Sequence, residues 1–143
     1  MGVEIMSAQD VVRRFLDAKD RASIEALLDD CLTWTVVGKG PMYRTYHGKA
    51  GFLDELMGQI GTRFVPGSQR VTIRAMYEDF AAQTVIAEIV EVADVVGGGT
   101  YENDVAAIFR VSSGKIVAAR EYMDLRPVER LMDVERSAAG PAL

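Results

Sequence analysis

The sequence is poor in the residues that build covalently linked or metal-held proteins. It contains one cysteine, Cys31, and one histidine, His47, in 143 residues. A single cysteine excludes an intrachain disulfide and is compatible with a reducing compartment. No cluster with metal-ligand spacing is present, so we predict neither a metal site nor a cofactor. We expect Cys31 to be a buried structural thiol, because nothing in the sequence places His47 beside it.

A basic region and a long apolar run are also missing. The chain has 16 Lys and Arg against 21 Asp and Glu, which gives a net charge of -5. A nucleic-acid partner would require a clustered basic face. No apolar run approaches the length of a membrane span, and the N-terminus lacks the pattern of a signal peptide. We therefore predict a cytoplasmic protein that binds neither nucleic acid nor membrane.

What the sequence does contain is typical of one globular domain. Apolar residues make up 49% of the chain and charged residues 26%, and the length is sufficient for one sizeable core. We predict a single domain over residues 1–143, with a core at about 7–132. The small, polar tail at about 137–143 is expected to be frayed.

Helical spacing of apolar residues dominates the first half of the chain. Ser7 followed by Asp10 resembles a capping box, and apolar residues follow at intervals of three and four. Pro127 favours the first turn of a last, short helix. The predicted helices run from Ser7 to about Lys19, from about Ser23 to Asp29, from Lys49 to near Gly61, and from near Pro127.

The second half of the chain is predicted to be sheet. Two turn sequences, Gly97–Gly99 and Ser112–Gly114, separate long strands, which should therefore pair sequentially and antiparallel. The predicted strands are Leu32–Val37, Arg70–Tyr77, Thr84–Val96, Tyr101–Ser112 and Lys115–Asp124. This order is that of an α+β protein, in which a curved antiparallel sheet packs on three N-terminal helices. We expect a cone-like interior whose mouth admits a small ligand.

The last predicted strand carries an acid on an apolar face. Alternation places Glu121 with Val117, Ala119 and Met123, and the opposite face contains Ile116, Ala118, Arg120, Tyr122 and Asp124. A lone carboxylate among small apolar neighbours costs free energy unless it is paired or used in chemistry. Glu121 is therefore the first candidate for a functional residue.

The same region resembles the nuclear transport factor 2-like superfamily, whose fold is cystatin-like. The features that carry the resemblance are Trp34 on the first strand, Tyr46–Lys49 before the third helix, and Gly114–Ile116 before Arg120–Asp124. Within the superfamily the chain looks closest to the SnoaL-like, polyketide-cyclase-like proteins and to limonene-1,2-epoxide hydrolase. The resemblance covers roughly residues 7–132 and implies a curved-sheet cone.

The epoxide hydrolase resemblance implies that Glu121 is the base that activates water. The second acid of that family aligns with Glu91, whose orientation depends on strand register, since a one-residue slip would turn it outward. The Arg that belongs between the two acids falls on Ile89, although Arg120 or Arg74 could replace it from another strand. Two carboxylates without a cation would repel each other, and one pKa would be raised.

Other polar positions of the resembled enzymes are only partly retained. The first-strand Tyr and Asn pair aligns with Trp34 and Val36, or with Thr33 and Thr35. Asn103 could orient water in their place, on the face that Tyr101 begins. The two carboxyl groups of ketosteroid isomerase align with about Thr35 and Ala107, which disfavours steroid isomerisation.

We therefore predict an enzyme without a cofactor that performs acid–base chemistry on a small apolar substrate. The reaction would be epoxide hydrolysis, isomerisation or cyclisation, with Glu121 and Glu91 as catalytic residues. The predicted substrate-binding residues are Asn103, Trp34, Tyr46, Tyr101 and Met123. One alternative is a binder of a small apolar ligand that has no catalytic activity. The other is a homodimeric interaction module, whose outer sheet face would contain Ile86, Glu88, Val90 and Val92.

Overall fold

The computed structural model describes residues 6–138. Two helices, Ala8–Asp17 and Arg21–Ala26, precede the sheet. The third helix consists of three consecutive segments, Gly48–Ala50, the π-helical Gly51–Leu56, and Met57–Gly61. The strands are β1 (Leu28–Val36), β2 (Thr45–His47), β3 (Arg70–Asp79), β4 (Thr84–Asp94), β5 (Thr100–Ser112) and β6 (Lys115–Met123). A C-terminal helix spans Leu125–Ala138.

The six strands form one sheet in the order β2-β1-β6-β5-β4-β3. Strands β3 to β6 form the predicted antiparallel meander, and the predicted α+β class is confirmed. One pair departs from the predicted antiparallel sheet, because β1 lies parallel to β6. The reason is topological: β2, the third helix and the segment that follows it separate β1 from the meander, which lets β1 join its last strand in either direction.

Irregularities in the strand pairing of the meander contribute to the curvature of the sheet. The register of β3 against β4 shifts between Ile73 and Ala75, and the register of β5 against β6 shifts between Arg110 and Val111. Such bulges bend a strand and increase its twist. The second bulge also reverses the predicted facing of the start of β6, since Ile116 is fully buried and Val117 lines a depression on the convex face.

The beginning of β1 also differs from the prediction. The second helix ends at Ala26, and the strand begins at Leu28, four residues earlier than expected. Leu28 pairs with Ile116, whose backbone N–H donates to the Leu27 carbonyl at 2.8 Å. Because of this pairing the segment is part of the sheet and not of the helix. Short β2, predicted as part of a loop, pairs antiparallel with β1.

The expectation of a buried Cys31 was wrong. Its neighbours Leu28 and Leu32 point into the core, whereas Cys31 is exposed on the convex face. The alternation of β1 around Leu32 and Trp34 explains this placement, because a strand cannot bury adjacent residues on one face.

The C-terminal helix begins two residues before Pro127. The carboxylate of Asp124 accepts the backbone N–H of Arg126 at 3.0 Å, which is the arrangement expected of a helix-start acid. The helix continues through Ser137 to Ala138, and the rest of the predicted frayed tail, 139–143, lies outside the described residues. Between residues 6 and 138, no helix combines the length and the apolar composition that a membrane span requires.

An aromatic cluster fills one end of the concave sheet face, which we call the aromatic end. Its members come from the first helix, β1, the third helix and β5, and adjacent ring centroids lie 4.2–5.9 Å apart. The four residues are Phe15, Trp34, Phe52 and Phe109. These rings join the helices to the sheet by burying large apolar surfaces in tilted and edge-to-face contacts.

Candidate functional site

The other end of the concave face carries the polar residues that the sequence singled out. Glu91 on β4 lies opposite Asn103 on β5, and Glu121 on β6 lies opposite Ala107 on β5 and Val36 on β1. Tyr101 precedes Asn103 by two residues on the same face of β5. The register thus turns both glutamates inward. We call Glu91, Tyr101, Asn103 and Glu121 the polar end.

Asn103 is held in a single orientation by its own amide group. Its Nδ2 donates to the Asp124 backbone carbonyl at 2.9 Å and to the Tyr101 hydroxyl at 3.0 Å. Both N–H groups are therefore used, which fixes Oδ1 as the acceptor that faces away from these partners. Asn103 is only 2% exposed, and its Oδ1 makes no hydrogen bond within the described residues.

Burial governs the protonation of the two glutamates. It raises the pKa of Glu91 to about 7. It also raises the pKa of Glu121 to about 8, with a further contribution from the negative charge of Glu91. Both residues remain partly exposed, although their carboxyl groups are surrounded closely enough by protein for desolvation to dominate. Near neutral pH the pair therefore holds a proton that ordinary glutamates would have lost.

Trp34 connects the two ends of the concave face. Its ring belongs to the aromatic cluster, and its indole N–H lowers the pKa of Glu121. Nε1 is buried, yet it makes no hydrogen bond of good geometry within the described residues. We interpret the contact as an electrostatic one, in which the indole N–H faces the Glu121 carboxyl group but does not form a hydrogen bond with it.

Tyr101 is close enough to both carboxyl groups for their charges to affect its pKa. Burial raises the pKa of its hydroxyl, and the charges of Glu91, Glu121 and Tyr43 act in the same direction. The hydroxyl is therefore a protonated donor near neutral pH. Its oxygen already accepts from Asn103, so the O–H itself is available to a carboxylate or to a ligand.

The bridging cation expected between the acids does not come from the predicted positions. Ile89, at the aligned position, is only 4% exposed and lies in the apolar core. Arg120 is exposed, and its register partners are Ile108 on β5 and Thr35 on β1. Arg74 forms an ion pair with Asp104 at 3.6 Å on the convex face. Three influences shift the two glutamate pKa values: burial, the other carboxyl and the Trp34 indole.

The other predicted site residues are Tyr46 and Met123. Tyr46 is fully buried, and its hydroxyl donates to the Met42 carbonyl at 2.7 Å and accepts from Gln59 at 3.4 Å. Met123, opposite Val105, is partly buried against the core. His47 is exposed at the end of β2. Among the described residues no group of three or more acidic, His or Cys side chains is arranged to hold a metal ion.

A depression of about 490 Å³ opens beside Tyr101. Its walls are the glycine turn and the C-terminal helix, including Gly98, Gly99, Pro127 and Arg130. The Tyr101 ring also packs on Phe64, with centroids 5.2 Å apart. Tyr101 therefore lines this depression, while its hydroxyl accepts from Asn103. Larger depressions, of about 570 Å³ and 510 Å³, are lined by neither Glu91 nor Glu121, although Met123 lines the second of them.

Sequence reasoning missed two groups that influence pKa values at the polar end. Tyr43, in the loop between β1 and β2, is close enough to raise the pKa of Tyr101. The role of the Trp34 N–H was also missed, because an aromatic residue on an apolar face indicates core packing. No local sequence signal distinguishes an indole that faces a buried acid.

A curved sheet that packs on helices, with polar side chains facing inward, is suited to a small-molecule enzyme or binder. The SnoaL-like domain family matches residues 12–119, and the chain belongs to this family. No curated protein matches the sequence.

Solved structures share the fold at low sequence identity. PrhC from Penicillium brasilianum NBRC 6234 has a TM-score of 0.78 at 17% identity, covering 93% of this chain and 91% of that chain. An NTF2-like protein from Burkholderia thailandensis E264 has a TM-score of 0.73 at 23% identity, covering 89% and 98%. Bal32a, from a soil-derived mobile gene cassette, has a TM-score of 0.73 at 18% identity, covering 87% and 95%. These similarities show the fold alone, whereas the match to the SnoaL-like domain family confirms the predicted family.

Proposed function

We propose that the protein is a cofactor-independent enzyme that performs acid–base chemistry on a small apolar substrate at the polar end. The observation that carries this proposal is the pair of inward carboxyl groups, Glu91 and Glu121, whose pKa values are both raised toward neutrality by burial. A proton shared by two such groups supplies an acid and a base at the same pH.

In epoxide hydrolysis, Glu121 would act as the base and Glu91 as the acid. Because Glu121 has the higher pKa, the reactive form is the one in which the shared proton has moved from Glu121 to Glu91. Ionised Glu121 takes a proton from water as the water oxygen bonds to an epoxide carbon. The carbon–oxygen bond of the ring breaks, and the leaving oxygen takes the proton of neutral Glu91. The product is a diol, and proton transfer from Glu121 to Glu91 restores the starting state. In an isomerisation or cyclisation, Glu121 would remove a carbon-bound proton and Glu91 would protonate the receiving atom.

Asn103 and Tyr101 would position the reacting groups. Asn103 Oδ1 is an acceptor for one water proton, because both of its N–H groups are already used. Tyr101 offers its O–H to a developing oxyanion. Positioned donors and acceptors of this kind contribute to catalysis because they need no reorganisation during the reaction.

A panel of lipophilic epoxides and enolisable cyclic ketones, assayed with wild type and Glu121→Gln, tests the proposal. We expect the substitution to reduce kcat/KM by roughly a hundredfold or more, the usual magnitude for loss of a general base. Glu88→Gln is the matched control, since Glu88 is on β4 but exposed on the convex face. Equal rates for wild type and Glu121→Gln would refute the assignment.

A binder without catalytic activity is the second candidate. It is favoured by the buried Ile89 at the position of the bridging Arg and by the apolar Val36 on the first strand. Saturable binding of a lipophilic ligand, with no turnover by wild type across the panel, would favour this candidate.

The predicted homodimer would use the convex sheet face. Tyr77, Ile86 and Tyr122 are exposed there, and Tyr77 and Ile86 are register partners on adjacent strands. Aromatic residues flanked by charge are typical of protein interfaces. Sedimentation velocity should give a dimer for wild type and a monomer for Ile86→Asp, whereas a wild-type monomer would refute the proposal. The cytoplasmic location stays a prediction.

A further inference from the structure

The polar end has an excess of negative charge and of hydrogen-bond acceptors. Glu91 and Glu121 contribute four carboxyl oxygens, and Asn103 Oδ1 adds a fifth acceptor. The donors are the Tyr101 hydroxyl and the Trp34 indole, which are neutral. With one proton shared between the glutamates, the site carries a net charge of about -1 in a desolvated setting.

Asn103 provides an observation that is independent of the acids. Its Oδ1 is buried and without a hydrogen-bond partner among the described residues, and it lies in register with Glu91. Its orientation is fixed by two bonds from Nδ2, so the acceptor cannot turn away. A buried acceptor without a partner costs free energy, which a ligand that supplies a donor would recover.

The surroundings of the acids are aromatic. Trp34, 2% exposed, joins Glu121 to the cluster of Phe15, Phe52 and Phe109, and Tyr101 packs on Phe64. Aromatic ring faces attract cations, and they also bury apolar groups. This combination favours a ligand that has a cationic head on an apolar body.

We propose that the polar end binds a small apolar amine in its protonated form. The ammonium group would donate to Asn103 Oδ1 and to the carboxylates of Glu91 and Glu121, and the apolar body would contact the aromatic rings. The inference rests on the concave face being a ligand site, as in the proposed function, and it adds the substrate class.

Binding of a cation should release protons. The titratable groups around the acids are few. The two glutamates act on each other and on Tyr101, and Tyr43 in turn acts on Tyr101. Because a nearby positive charge favours ionised carboxyls, the ligand would displace the shared proton near neutral pH. A neutral ligand of the same shape would leave that proton in place.

The test uses the full chain and two matched ligand pairs, benzylamine with benzyl alcohol and cyclohexylmethylamine with cyclohexylmethanol. Trp34 is the single tryptophan, so its fluorescence reports directly on the site. Calorimetry in two buffers of different ionisation enthalpy measures proton release. We expect each amine to bind at least about tenfold more tightly than its alcohol, with protons released at pH 7.

Glu91→Gln and Glu121→Gln should each reduce amine affinity at least about fivefold without changing alcohol binding, whereas the Glu88→Gln control should change neither. Equal affinity of amine and alcohol would overturn the inference, as would amine affinity unchanged by both substitutions. Displacement of benzylamine by equimolar potassium would also overturn it, because the site would then be selective for charge alone. Turnover of the substrate panel without amine binding refutes this inference only. Amine binding without any turnover refutes only the proposed enzyme.

Discussion

The aromatic end and the polar end occupy the same concave face of one sheet, yet they are built differently. At the aromatic end, side chains from four elements fill the space with rings in mutual contact. At the polar end, two carboxyl groups, an amide oxygen and a phenol face inward, and the amide oxygen has no partner within the described residues. Adjacent parts of the same strands therefore carry tightly packed rings at one end and inward polar groups at the other.

This difference indicates which end stabilises the fold and which end is suited to bind a ligand. Contacts between rings contribute to the free energy of unfolding, because they remove large apolar surfaces from water. Buried acids and an unpaired acceptor reduce that free energy unless a ligand compensates for them. Such a cost within an otherwise well-packed core is typical of functional sites.

The largest effect on stability is expected at the aromatic end. Phe109→Ala should reduce the free energy of unfolding by about 3–5 kcal/mol, because it leaves a cavity among Phe15, Trp34 and their neighbours. Phe80→Ala is the control, since Phe80 is 80% exposed and should change stability by less than about 0.5 kcal/mol. Urea denaturation measures both. Equal losses for the two variants would contradict the structural role of the cluster.

A smaller effect, opposite in sign, is expected at the polar end. The folded-state pKa of Glu121 is raised above its unfolded value, so folding is favoured at low pH and loses stability as the pH rises toward 8. Glu121→Gln should therefore stabilise the protein at pH 8 by at least about 1.4 kcal/mol, which corresponds to one unit of the rise in pKa. The difference from wild type should disappear toward pH 4.5. Thermal unfolding from pH 4.5 to 8.5 measures it, and a gain that does not vary with pH would contradict the account.

The smallest effect is expected for acids on the convex face. Asp104 pairs with Arg74 at 3.6 Å, and both side chains are largely exposed. Asp104→Asn should change the free energy of unfolding by less than about 1 kcal/mol, because water screens such pairs. A larger loss, measured by the same denaturation, would mean that the contrast between the two faces of the sheet is weaker than proposed.

The order of elements and the fold class were predictable because they depend on local patterns. The spacing of Val11, Val12 and Leu16 indicates a helix, and the turn at Ser113 and Gly114, both with positive φ, indicates a hairpin. Glu121 and Glu91 could be named from strand alternation and from the family resemblance. Their shared surroundings could not be predicted, because these depend on the curvature of the sheet.

The errors have physical causes of the same kind. The bulge at Val117 reverses alternation at the start of β6, and no residue type marks it. Cys31 follows the alternation of a strand whose first residues looked helical. The partners of Asn103 come from Tyr101 and from the Asp124 carbonyl, and the second of these bonds spans 21 residues. Long-range hydrogen bonds of this kind leave no trace in local sequence.

The central claim is that Glu91 and Glu121 share a proton near neutral pH within the concave face. Carbon-13 NMR of glutamate side-chain carboxyl groups, titrated from pH 3 to 9 and assigned with the Glu91→Gln and Glu121→Gln variants, measures this directly. We expect two coupled titrations near pH 7 to 8, with each substitution shifting the pKa of the remaining glutamate. Titration of both inward glutamates below pH 5 would contradict the claim.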